Sequence, residues 1–178
     1  LVKADLYKAK NCALEYLDDS LIIRKFGNIS DAIWNYAELG MQEFKSSGLL
    51  IKTLEEEGFK VEKGVAGMPT CFVASWGNGK PVIGILGEFD ALPGLSQEAL
   101  NPLQIPLVEG APGHGCGHNM MGTAGIAAAI AVKKSMEQNN LQGTIKFFGS
   151  PAKAAVTSSP YRVRDGVFKD VEAVIDNH

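Results

Sequence analysis

The sequence predicts an α/β fold, a three-layer helix–sheet–helix arrangement around a mostly parallel sheet. Three observations carry that expectation. Residues 1–58 repeat their apolar side chains at three- and four-residue steps, the period of helices. From Phe59 onward the period becomes that of strands, and two runs, PVIGIL at 81–86 and GTIKFFG at 143–149, are apolar with little alternation. Such runs suit strands covered on both faces, as in a parallel or mixed sheet. Between them lies an Ala-rich helical stretch, which makes the order strand–helix–strand.

A first amphipathic helix is expected over residues 2–19, where Val2, Leu6, Ala9, Ala13, Tyr16 and Leu17 share a stripe. Ser30 followed by Asp31 reads as an N-cap that opens a second helix carrying Ile33, Trp34 and Ala37. A third helix should run from about residue 46 to 57, burying Leu50 and Leu54 and stopping at Gly58. Phe59–Glu62 and Thr70–Trp76 form a hairpin-like pair of strands, and Gly77–Lys80 turns the chain into the 81–86 run. That run ends in Gly87-Glu88-Phe89-Asp90, so two carboxylates sit just past its carboxyl end. Open α/β sheets place their sites at that edge. The Pro- and Gly-studded loop over 92–112, ~20 residues without a period, is long enough to imply service to a site. A buried helix should cover about 120–136, and a last strand, Ala173–Ile175, leads into Asp176-Asn177-His178.

Composition narrows the function classes. The 178 residues are 46% apolar and 21% charged, ordinary values for a globular domain, and the net charge is −3. Without a run of Lys or Arg, neither nucleic acid nor an anionic membrane is expected as partner. No apolar stretch reaches the ~20 residues of a membrane span, and no signal-peptide layout opens the chain. Cys12, Cys71 and Cys116 are odd in number and far apart, which argues against a disulfide framework and for a reducing, cytoplasmic setting.

The densest chemistry lies in APGHGCGHNMMG at 111–122, which holds His114, Cys116 and His118 among four glycines. Cys and His two residues apart suit a divalent transition metal, with thiolate favouring its softer members. The alternative is a Gly-rich surface turn carrying solvated histidines. Asp90, Cys116, His118 and His178 all fall at strand ends or a helix start, the points that gather along one edge of such a sheet. Gly113-x-Gly115 begins like a dinucleotide fingerprint, but His118 takes the third glycine's place and no strand feeds the turn. No G-x-S-x-G elbow is present.

GEFDALPG at 87–94, GHGCGHN at 113–119, GTIKFFGSPA at 143–152 and a strand ending in His resemble the metal-dependent amidohydrolases of the aminoacylase/carboxypeptidase superfamily. AELGMQE at 37–43 is similar to a motif near the start of that family, and DALPGLSQ and DGVFKDVEA look like its aminobenzoyl-glutamate branch. The resemblance is collinear over essentially the whole chain. It implies a zinc-peptidase-like catalytic domain of which residues 1–178 are the N-terminal portion, without the lid or dimerisation domain and the C-terminal portion. It implies Cys116, His118 and His178 as metal ligands and Asp90 as the carboxylate that orients them. It implies Zn, Mn or Co, bound as a pair of ions in the intact family, and hydrolysis of the amide of an N-acyl or N-aroyl amino acid. A homodimer or hetero-oligomer is the implied assembly.

Two departures from the family pattern matter. Where the family has Pro-Ala-Glu-Glu, supplying a general base and a ligand, this chain has Pro151-Ala152-Lys153-Ala154. Lys153 occupies the general-base position, yet an ammonium accepts no proton and repels a nearby dication, and Ala154 offers no ligand atom. The loop that follows, Ala155–Ser159, has also lost its glycines. The second departure is that the chain reaches His178 where the family inserts its lid. Two expectations therefore stand side by side: a metal-dependent amidohydrolase, or a degenerate or truncated homologue that keeps at most a partial metal site and acts by binding. A truncated sheet would expose an apolar edge prone to self-association.

Overall fold

The computed structural model describes residues 3–155 and 158–178. The side chains of Val2 and Leu6, expected on the first helical stripe, and the Val156–Thr157 part of the diverged loop lie outside the described residues. The chain runs α1 (Lys3–Asp18), α2 (Ser20–Tyr36), α3 (Phe44–Glu56), β1 (Lys60–Lys63), β2 (Phe72–Asn78), β3 (Val82–Glu88), α4 (His118–Gln138), β4 (Gly143–Ser150), α5 (Ser158–Arg164) and β5 (Ala173–Ile175). No helix among the described residues is long and apolar enough to cross a membrane.

The expected break at Ser30 does not occur. Asp19 caps α2 instead, its carboxylate accepting from the backbone N–H of Leu21 at 2.7 Å and of Ile22 at 3.3 Å. The helix continues through Ser30 because Phe26, Ile29 and Ile33 recur on one buried stripe. Packing of that stripe outweighs the local preference of Ser and Asp for a cap. Ala37 closes α2 in the left-handed region. The expected stop of α3 holds, with Gly58 at φ +84 just past its end.

The sheet is mixed rather than mostly parallel, in the order β1-β2-β4-β3-β5. β3 pairs in parallel with β4 and β5, whereas β2 runs antiparallel to both β1 and β4. The sequence reads β1 and β2 correctly as a hairpin-like pair, but it does not reveal that β4 inserts between β2 and β3. β4 earns that place by alternating large side chains to opposite faces. Ile145 and Phe147 join the core under α2, α3 and α4, and Phe148 joins a second core with Val65, Met68, Cys71 and Val73. Each fully buried Phe contributes about 1.5–3 kcal/mol.

The two helical layers are unequal. α1 to α4 form a thick layer on one face, whereas the other face carries α5 and the segment containing Val167, Phe168 and Val171. Because β3, β4 and β5 share a direction, Asp90, the Pro151–Ala154 turn and His178 all leave the sheet at one edge.

Candidate metal centre

α4 comes down on the sheet through small residues. A Cβ at Gly122 would lie 2.6 Å from the Glu88 carbonyl oxygen, and one at Gly125 would lie 2.8 Å from the Phe147 ring. Gly117, at φ +75, turns the chain so that α4 begins with His118 itself, two residues before the expected start. The imidazole of the helix's first residue is thereby pressed against the end of β3.

Its Nδ1 faces Asp90, with Oδ1 at 2.8 Å and the Asp90 carbonyl oxygen at 3.1 Å. The other Asp90 oxygen accepts the Ala154 backbone N–H at 2.8 Å. Asp90 therefore bridges the His118 imidazole and the backbone of the 151–155 turn. Burial alone would raise its pKa, but these hydrogen bonds and the His118 charge outweigh burial and hold it below the usual aspartate value. With Nδ1 committed to Asp90, Nε2 is the atom left to act as a ligand.

Nε2 lies 3.0 Å from Glu88 Oε2. The two attract as charges, but their alignment is not that of a hydrogen bond, and both atoms are buried without a hydrogen-bond partner. Burial disfavours the imidazolium, yet Asp90 and Glu88 overcome it and push the His118 pKa up to about 10. A metal ion entering here would displace a proton.

Cys116, His118 and His178 each present a ligand atom, all within 4.8 Å of one another. His118 is buried, Cys116 and His178 are exposed, and the two imidazoles meet edge-on with centroids 5.7 Å apart. Two imidazoles and a thiol suit zinc or cobalt, and an unsatisfied buried Nε2 beside an unsatisfied carboxylate oxygen fits a bound cation. The residues present therefore fit a divalent metal.

His114 takes no part in that cluster. It is buried, its Nε2 meets the Ile33 carbonyl oxygen at 3.0 Å, and its ring stacks on Trp34. Burial holds its pKa below the ordinary histidine value.

Lys153 reaches the same edge, and its Nζ pairs with Glu88 Oε1. Sequence reasoning noted Glu88 but assigned it no role. The available signal was its two-residue spacing from Asp90, at the end of a strand. Glu43 also escaped notice as a single residue within the AELGMQE stretch. It is fully buried and accepts from Thr70 Oγ1 and from the Ala152 N–H, each at 2.8 Å. Burial raises its pKa above the usual glutamate value despite these bonds. Gly40 lies against the same turn, where a Cβ would come 2.9 Å from Ala152 Cβ.

No family model matches the chain. It is 44% identical over 165 residues to one of the subunits of the p-aminobenzoyl-glutamate hydrolase of Escherichia coli, covering 92% of this chain and 34% of that protein. It is 29% identical over 152 residues to an N-acetyl-L-cysteine deacetylase of Bacillus subtilis, covering 80% and 33%. The chain spans about a third of the length of these curated relatives. Among solved structures, a dinuclear metal binding peptidase of the M20 family from Bacillus subtilis superposes with TM-score 0.70 at 24% identity, over 85% of this chain and 41% of that one. An aminobenzoyl-glutamate utilization protein from Klebsiella pneumoniae gives 0.65 at 18%, over 90% and 44%. Both structures share the fold.

Proposed function

From the premise that this chain is a relative of the metal-dependent amidohydrolases, we propose that it is the ligand-bearing N-terminal portion of such an enzyme's catalytic domain. Its substrate is the amide of an N-acyl or N-aroyl amino acid, p-aminobenzoyl-glutamate being the first candidate. The observation that carries this reading is the buried Glu88 Oε2–His118 Nε2 pair, left without hydrogen bonds beside Cys116 and His178.

In this reading Cys116, His118 and His178 hold the ion. Asp90 accepts the Nδ1 proton of His118 and so keeps the Nε2 lone pair pointed at the ligand cluster. On taking up an ion, the Cys116 thiol would give up its proton, and His118 would give up the proton that Asp90 and Glu88 favour. A bound divalent ion supplies a polarised amide carbonyl and a water acidic enough to attack near neutral pH. The Ala154 N–H holds Asp90 from the far side, which ties the 151–155 turn to the ligand frame. The Escherichia coli relative is one chain of a multi-chain hydrolase, which supports an assembly of more than one chain here, as homodimer or hetero-oligomer.

The test is hydrolysis of p-aminobenzoyl-glutamate with added Mn²⁺ or Zn²⁺, alongside elemental analysis. Metal content should drop in Cys116→Ser, and unchanged content would refute the ligand assignment. A second reading, a degenerate homologue that binds without turning over, is favoured by the Lys153–Glu88 pair and by the methyl group at Ala154. Turnover that survives Lys153→Ala would sink that second reading.

A further inference from the structure

We infer that this chain holds one divalent ion, and that the Lys153 ammonium, paired with Glu88, excludes a second. The inference rests on the metal-centre reading above and concerns how many ions that centre takes.

Ligand atoms at this edge are in short supply among the described residues. Among the described residues, one group of His, Cys, Asp or Glu side chains brings its donor atoms together, and it is Cys116, His118 and His178. The buried carboxylates beside it are already engaged. Asp90 Oδ1 meets His118 Nδ1 and Oδ2 accepts the Ala154 N–H. Glu88 Oε1 is bound to Lys153. The oxygen that remains, Glu88 Oε2, faces His118 Nε2 at 3.0 Å and His178 Nε2 at 3.8 Å, so it belongs to the same cluster. A second ion needs oxygen, nitrogen or sulfur ligands of its own, and Ala154 offers none.

Charge points the same way. Once the Cys116 thiol is ionised, it joins Glu88 and Asp90 as three anionic groups at one edge of the sheet. One dication together with the Lys153 ammonium balances them, while Arg162 and Asp176 nearby offset each other. A second dication would leave an excess of positive charge beside Glu88, which is only 1% exposed, and uncompensated charge in a buried site is strongly unfavourable. Lys153 is well suited to the role because its Nζ reaches Glu88 while its side chain remains 31% exposed. The ammonium then stays hydrated on one side and paired on the other.

The experiment is a metal count on the chain, by equilibrium dialysis against Zn²⁺ followed by elemental analysis, and by Co²⁺ titration of the thiolate-to-cobalt charge-transfer band. Both should saturate at one ion per chain, and the charge-transfer band should vanish in Cys116→Ser. The double variant Lys153→Glu, Ala154→Glu should raise the count to two. Two ions on the parent chain would overturn the inference, as would a folded double variant that stays at one. If the double variant does not fold, the parent's count decides alone. A parent that binds no ion overturns the metal-centre reading itself, a different failure from binding two.

Discussion

On the β3–α4 side of the candidate centre, the side chains of His118, Glu88 and Asp90 are each only 1% exposed, whereas across the site Lys153 keeps 31% and His178 52% of its side chain in solvent. The first side is part of the core. α4 lies on β3 with glycines at the crossing, and Ile126, Ala129 and Ile130 are sealed beneath it. The second side hangs on few contacts, chiefly Asp90 with the Ala154 N–H, Lys153 with Glu88, and a three-residue strand whose side chains are all exposed. Half of this centre is thus preorganised by folding, and half is adjustable. Substitutions on the two sides should therefore separate stability from metal affinity.

The largest effect is expected from His118→Ala. It removes a candidate ligand and takes away the imidazolium that Glu88 and Asp90 share, leaving Glu88 paired with Lys153. Metal affinity should fall by more than about a hundredfold, and metal-free stability by about 3 kcal/mol in chemical denaturation. The parent adds a pH signature. A histidine raised from 6.5 to about 10 contributes stability that is complete below pH 6.5 and fades as pH climbs through 10. Denaturation midpoints of the metal-free parent should decline across that window, and those of His118→Ala should decline less. Equal slopes would show that the imidazolium is not held as described.

Gly122→Ala tests the preorganised side without touching a candidate ligand. Its new methyl meets the Glu88 carbonyl oxygen, so α4 must lift from β3 at a cost of about 2 kcal/mol. A thermal midpoint equal to the parent's would mean that the close crossing does not position the site. Asp90→Asn retains shape but loses the charge that orients His118. Dialysis should reveal a loss in metal affinity of about tenfold or somewhat more. At the small end, His178→Ala on the exposed side should leave stability within about 0.5 kcal/mol while still weakening metal binding. A large loss of stability there would erase the contrast between the two sides.

Much of this was legible in the chain itself. Every strand was visible as an apolar or alternating run, because burial on a pleated face leaves a two-residue trace or an unbroken one. Cys116, His118 and His178 stood out through their scarcity and through their places at strand and helix ends. The misread cap at Ser30 had a different origin. Local hydrogen-bonding preference is a small term, and the Phe26–Ile29–Ile33 stripe overrides it only once α4 is there to pack against. Sheet order was equally hidden, since nothing in β4 read by itself says that it pairs with β2 on one side and β3 on the other.

The amino-acid sequence by itself determined the α/β class, the position of the candidate metal motif at the mouth of a buried helix, and the presence of Lys153 and Ala154 in the turn that follows β4. These are properties of composition, period and residue identity, which need no partner to be read. Only the tertiary structure decided that Glu88 stands opposite His118 and that His114 turns away to Ile33. It also decided that Lys153 neutralises a buried carboxylate instead of pointing into solvent. Each of these depends on which groups from distant segments arrive in direct contact, and at that range in a buried site the electrostatic terms outgrow any local preference.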